Sequence, residues 1–140
     1  KKIFRHIESS GDSTAAKGSS IGLYAFQLKT AQGLMPGITK EDLRNPDIQE
    51  ELLDRYIAKN AKALGTTDPY VLYMAHQQGV RGYKLLLKMR DVRIKDIPDR
   101  VRKEKVMENR RPETKRDKNA TVGDFLDEWK RHYSKLQQEL

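Results

Sequence analysis

Apolar residues along this chain recur at spacings of three and four, not in alternation, and the pattern predicts helices almost throughout. In "KKIFRHIES", Ile3, Phe4 and Ile7 share one helical face, and the same helix carries Glu8 at its C-terminal end. Gly11, Gly18 and the Ser/Thr residues around them interrupt the pattern and read as a loop. From Gly22 onward, Leu23, Phe26 and Thr30 mark a second helix that "GLMPG" stops. Asn45 as cap, Pro46 in the first turn and Gly65 at the exit bound a third, with Ile48, Leu52, Tyr56 and Ala63 as its stripe. Asp68, Pro69 and Gly79 repeat that device around "TTDPYVLYMAHQQG", and a shorter helix follows from Gly82 to near Arg90. In the last twenty residues, Phe125, Leu126, Trp129, Tyr133 and Leu136 form an amphipathic stripe that requires a surface to cover it. No segment demands a strand, so the expected fold class is all-α.

Composition limits how much of this pattern belongs to one core. Hydrophobic residues make up 36% of the 140 positions and charged residues 34%, which suits a single domain with an appended arm better than one continuous core. There is no Cys, so disulfides, thiolate zinc sites and Cys nucleophiles are excluded. No apolar run reaches the roughly 20 residues needed to cross a bilayer, and no signal-peptide pattern opens the chain. The first residues already lie in mid-pattern, which leads us to expect that the natural protein begins earlier.

The formal charge of +8 is concentrated in one region. Between Arg81 and Lys118 there are fifteen Lys/Arg against seven Asp/Glu, an excess equal to the whole net charge. That stretch is also poor in large apolar residues over "RIKDIPDRVRKEKVMENRRPETKRDKNA". The expected organisation is a helical domain over 1–92, a basic connector over 93–120 and a docking helix over 121–140. Phe125, Trp129 and Tyr133 then either bind a protein partner or fold back onto the domain.

Three short segments carry a resemblance. "ESSGDSTA" resembles the catalytic segment of the lytic transglycosylases of the goose-type lysozyme kind, especially those of phage virions. "SSIGLYAF" resembles their Gly-Leu-aromatic-Gln segment, and "YMAHQQG" resembles their later Ala-Tyr/His-Asn-x-Gly segment. The three occur in the family's order, and between them "LRNPDIQEELLDRYIAKNAKAL" looks like the family's linking helix, which also starts at Asn-Pro. One position departs from the pattern: Ala25 stands at the usual Gln, and Gln27 lies two residues further on. The resemblance implies a lysozyme-like fold, and cleavage of the N-acetylmuramic acid to N-acetylglucosamine bond of peptidoglycan by one Glu. It also implies a place in a phage tail or in the bacterial periplasm or cell wall.

The chemistry of the residues is compatible with that expectation. Cleaving a glycosidic bond requires a proton for a poor leaving oxygen, and a carboxyl group donates one at neutral pH only if its pKa is raised. Glu8, at a helix end beside Ile7 and facing Tyr24 and Phe26, is the candidate. The one nearby second carboxylate, Asp12, sits in a Gly/Ser turn and reads as a loop cap, so the two-carboxylate arrangement of ordinary glycosidases is not evident. Ser19, Ser20 and the backbone at Gly22 suit the positioning of a sugar, as does Gln27. Tyr73 and His76 lie one helical turn apart and are placed to face the same cleft, and Gln77, where the family has Asn, suits an acetamido group. Each of these also has a plain structural reading: Tyr24 and Tyr73 as core aromatics, His76 as a half-core histidine, Ser19 and Ser20 as loop caps.

No metal is expected, because three scattered His give no ligand set, and no cofactor is implied. Two further function classes fit the same residues. The excess charge over 81–118 suits salt-sensitive binding to DNA or to another anionic surface, although it lacks the aromatic interleaving of single-strand binders. A virion domain that keeps the fold with weak or absent activity is the other, with Ala25 as its main argument.

Overall fold

The computed structural model describes residues 27–140, together with Ile3, Ile7 and, in backbone only, positions 16–17, 20–21 and 26. The described chain is predominantly helical. Ile3 and Ile7 are both helical and half-buried, while Glu8 lies outside the described residues. Three two-residue strands follow, β1 (Ala16–Lys17), β2 (Ser20–Ile21) and β3 (Phe26–Gln27), paired antiparallel in that order. The helix expected from Gly22 therefore starts later, as α1 (Leu28–Leu34), because Phe26 and Gln27 are drawn into pairing with β2.

Packing divides the chain into two compact units, 1–62 with Leu140 and 63–139. In the first, Thr39 and Asp42 cap each other's backbone N–H groups at 2.9 and 3.3 Å and start a 3-10 turn, Asp42–Arg44. Asn45 accepts from the Asp47 N–H at 2.9 Å, and α2 (Pro46–Leu64) begins there, as the Asn-Pro signal predicts. Its buried face is Gln49, Leu52, Leu53 and Asn60, rotated from the expected stripe, and Ala63 is exposed. The rotation has a polar cause: the Gln49 side chain donates to the Leu43 carbonyl of the 3-10 turn, so burial of an amide is compensated by its hydrogen bond. Arg55 then ties α2 to the end of α1 by donating to the Leu34 carbonyl at 2.9 Å.

In the second unit, Asp68 accepts from the Tyr70 N–H at 3.0 Å and opens α3 (Pro69–Gln78). Gly79, at φ +79°, separates α3 from α4 (Val80–Leu87), a backbone conformation that an L side chain rarely adopts. The residues expected as a connector are folded. A 3-10 turn (Ile94–Asp96) is followed by α5 (Arg100–Glu108), capped by Asp99, and by α6 (Pro112–Arg116). The two ends of this segment are tied together by an Arg93–Thr121 bridge, with the Ile94 N–H donating to Ala120 and Val122 donating to Val92.

The last helix, α7 (Val122–Glu139), buries Phe125, Leu126, Trp129, Tyr133 and Leu136 inside this unit. Phe125, Trp129 and Tyr133 are 0, 4 and 2% exposed, so the stripe is not a surface for a protein partner: it folds back, and α3 is among the helices it packs on. The Tyr70 hydroxyl donates to the Leu126 carbonyl at 2.7 Å, and burial is the main reason the Tyr133 phenol is pushed up to about 12.

Glu128 holds α6 onto α7. Its carboxylate accepts from the N–H groups of Glu113 and Thr114 at 2.9 and 3.0 Å and from the Thr114 hydroxyl at 2.8 Å, capping a helix that lacks its own cap. Burial alone would raise its pKa. The bonds from Thr114 and Glu113 and the charge of Arg111 outweigh that and hold it below the ordinary value of 4.5. A depressed carboxylate stabilises the fold fully above its unfolded pKa and loses that contribution as pH falls through the folded value. Glu128→Gln is therefore expected to lower the thermal midpoint at pH 7 by about 5–10 °C. The gap to wild type should close as pH falls below 4.5, measured by circular dichroism melts.

Candidate functional site

Of the sequence-predicted site residues, Glu8, Ser19, Gly22 and Tyr24 lie outside the described residues. The other five fall into two groups. Ser20 in β2 is the direct register partner of Gln27 in β3. Gln27 is exposed and sits at the N-cap of α1 with extended backbone, φ −79° and ψ 143°, and its side chain makes no capping bond there. The strand pairing thus brings together two residues seven apart in the chain, in the segment that follows the candidate acid.

The second group is on α3. Tyr73 is 1% exposed, and its ring packs against Trp129 at 5.5 Å and Tyr133 at 5.7 Å between centroids. Tyr73 is therefore a core aromatic and not a sugar contact, because its ring is already occupied by neighbouring rings. His76 is half-buried with its ring 6.2 Å from that of Tyr73. Gln77 is half-buried in the last turn of α3, just before the Gly79 break.

Gln77 belongs to a polar network that the sequence did not suggest. Gln78, 3% exposed, donates from Nε2 to Gln77 Oε1 at 2.9 Å and to the Lys105 carbonyl at 3.4 Å. Arg102 of α5 donates from Nη1 to Gln78 Oε1 at 2.9 Å and to the Gln78 carbonyl at 2.7 Å. The guanidinium reaches this position because residue 82 of α4 is glycine: a Cβ there would lie 2.2 Å from Arg102 Cζ. Among the described residues, Gln77 Nε2 and Arg102 Nε are shielded from water and have no hydrogen-bond partner.

No group of three or more His, Asp or Glu among the described residues is arranged to hold a metal ion. No helix among them is long and apolar enough to cross a membrane. A shallow concavity runs along the outer face of α7 past Asp127, Lys130 and Arg131, and it contains none of the predicted site residues. The chain matches no protein-family model, no curated protein and no solved structure.

Proposed function

We propose that this chain is a peptidoglycan lytic transglycosylase, cleaving the bond between N-acetylmuramic acid and N-acetylglucosamine with Glu8 as its single acid and base. The observation that carries the reading is the set of three segments, "ESSGDSTA", "SSIGLYAF" and "YMAHQQG", in one order along the chain. Two structural features support it. The Ser20–Gln27 register joins two candidate sugar contacts, and Gln27 is exposed where Ala25 has taken the usual amide position. The last turn of α3 carries His76 and Gln77 on helical backbone, the kind of element on which a substrate-orienting pair is held.

In this mechanism the Glu8 carboxyl gives its proton to the glycosidic oxygen as the bond from that oxygen to muramic acid C1 breaks. The resulting carboxylate then takes the proton of the muramic acid 6-hydroxyl, whose oxygen forms the new bond to C1. The product is a 1,6-anhydro sugar, no water is consumed, and Glu8 is again protonated. In the first unit Ser19, Ser20, Gly22, Tyr24 and Gln27 are the proposed glycan contacts, and in the second unit His76 and Gln77 are those the resemblance implies. The proposed setting is a phage tail or the bacterial cell wall, with local opening of the wall as the task.

The exposed Lys and Arg of the second unit favour one additional reading, electrostatic retention on an anionic polymer. Arg81, Lys84 and Lys88 on and just after α4, and Lys115, Arg116 and Lys118 on and after α6, all face solvent. The deciding experiment is mass spectrometry of soluble fragments released from purified peptidoglycan. Anhydro-muramyl ends are expected. Reducing ends would convert the reading to a lysozyme, and no fragments from folded protein would remove the enzyme and leave the charged surface as the functional feature.

A further inference from the structure

We infer that α4 carries a docking surface for the phosphate backbone of double-stranded DNA, formed by Arg81, Lys84 and Lys88. The inference rests on the electrostatic reading above and is independent of the glycan-cleaving one. Contacts within the fold sort the fifteen cations between Arg81 and Lys118. Arg90 pairs with Asp127 at 2.8 Å and Arg100 with Glu104 at 3.2 Å, Arg102 is turned inward onto Gln78, and Arg111 lies over the Trp129 ring. Those four are spent on the second unit itself. Arg81, Lys84 and Lys88 are exposed, and the ion pairs among the described residues include none of them. Lys84 Nζ donates to the Ala63 carbonyl at 3.3 Å, which leaves its charge unneutralised and its other hydrogens free. Steps of three and four residues set the three cations in one row along α4, away from the face that buries Gly82, Tyr83 and Leu86. Arg102 of α5 meets α4 at Gly82, on that buried face, so it does not cover the row. There is no acidic residue from Val80 to Lys88, so the helix does not neutralise its own row.

Three features choose the partner. A helix holds such a row at fixed steps of about 5–6 Å, which suits a stiff polymer with phosphates at regular intervals, and duplex DNA carries about one charge per 1.7 Å of its axis. Leu85 and Leu87, 40 and 45% exposed, flank the row on opposite sides, so the middle of the exposed face is cationic. A helix lying in a bilayer surface has the reverse order, apolar residues in the middle and cations at the margins. Finally, no aromatic ring of the second unit is exposed: Tyr70 is half-buried with its hydroxyl on the Leu126 carbonyl, and the others are buried. Unpaired bases would find no ring to stack on, so duplex is favoured over single strand.

The test is the salt dependence of binding of the full chain to a short labelled duplex of mixed sequence, followed by fluorescence anisotropy. Each phosphate contact adds about 0.9 to the slope of log affinity against log salt. Replacing all three cations, Arg81→Gln with Lys84→Gln and Lys88→Gln, should therefore reduce the slope by about 2.7 and weaken binding at about 50 mM salt by at least about tenfold. Lys84→Gln alone should remove about 0.9 and gives the same readout should the triple variant not fold. Lys40→Gln with Lys59→Gln and Lys62→Gln takes the same net charge from exposed positions of the first unit and should leave the slope as in wild type. Equal slopes in wild type and the α4 variants, or an equal loss in the Lys40, Lys59 and Lys62 control, would overturn the assignment to α4. Single strand of the same length bound as tightly as duplex would overturn the choice of partner. Retention on phosphatidylglycerol vesicles or lipoteichoic acid without retention of duplex would overturn it too, while keeping the electrostatic reading; retention of none of these polymers would remove both.

Discussion

Glu8→Gln is expected to reduce release of soluble fragments from peptidoglycan by about 1000-fold or more while leaving the helical circular dichroism spectrum unchanged. The substitution keeps the shape of the side chain and removes both functions the mechanism asks of it. An amide neither protonates the leaving oxygen nor takes the proton of the 6-hydroxyl, and a positioned acid–base group typically contributes 10²–10⁴-fold. Here one group serves two consecutive steps, so the loss should fall at the upper end. Because binding contacts remain, affinity for chitotetraose should be within about threefold of wild type, a difference of under 1 kcal/mol. Retained cleavage in Glu8→Gln would remove Glu8 from the mechanism. Lost cleavage with lost helicity would assign Glu8 to the fold.

Much of the helical framework is legible because it is written in local signals. Asn45 with Pro46, and Asp68 with Pro69 and Gly79, mark the bounds of α2 and α3 through caps and φ constraints that act within a few residues. The amphipathic stripe of α7 is legible for the same reason, but its destination is not: periodicity shows that Trp129 must be covered and is silent on what covers it. The segment 93–120 was opaque for a different reason. What orders it is a handful of specific long-range bonds, among them Trp129 Nε1 donating to the Asn109 carbonyl at 2.8 Å, Glu128 on the N–H groups of α6, and Arg102 on Gln78. None of these leaves an apolar period, and a run of Lys and Arg reads as solvated wherever such partners are not visible. The candidate site divides in the same way. His76 and Gln77 stand out because they close a capped helix before a glycine, whereas Arg102 comes from 24 residues beyond Gln78 and has only Gly82 as a trace of its presence.

Trp129→Ala is expected to lower the stability of the second unit by about 4 kcal/mol, the usual cost of emptying a buried aromatic site. Trp129 is 4% exposed, packs with its ring tilted against Tyr73 at 5.5 Å, meets His132 edge-on at 5.6 Å, lies under the Arg111 guanidinium at 5.6 Å, and holds the end of α5 through the Asn109 carbonyl. Its removal leaves a cavity beside Tyr73 and an unpaired carbonyl together. For a unit of this size the total stability is on the order of 4–11 kcal/mol, so the loss is a large share of it. The midpoint in a far-ultraviolet melt should fall by about 20 °C. Trp129→Phe keeps the ring contacts and gives up the N–H, so it should lose only about 1–2 kcal/mol, and the difference between the two variants measures packing against hydrogen bonding. The consequence reaches the candidate site through α3. Tyr73 lies one turn before His76 and Gln77, so a loosened Tyr73 loosens the turn that presents them, and chitotetraose binding by Trp129→Ala should fall even at temperatures where its helices persist. If binding survives in a variant with that midpoint loss, the last turn of α3 is held by Arg102 and Gln78 alone, without the aromatic core.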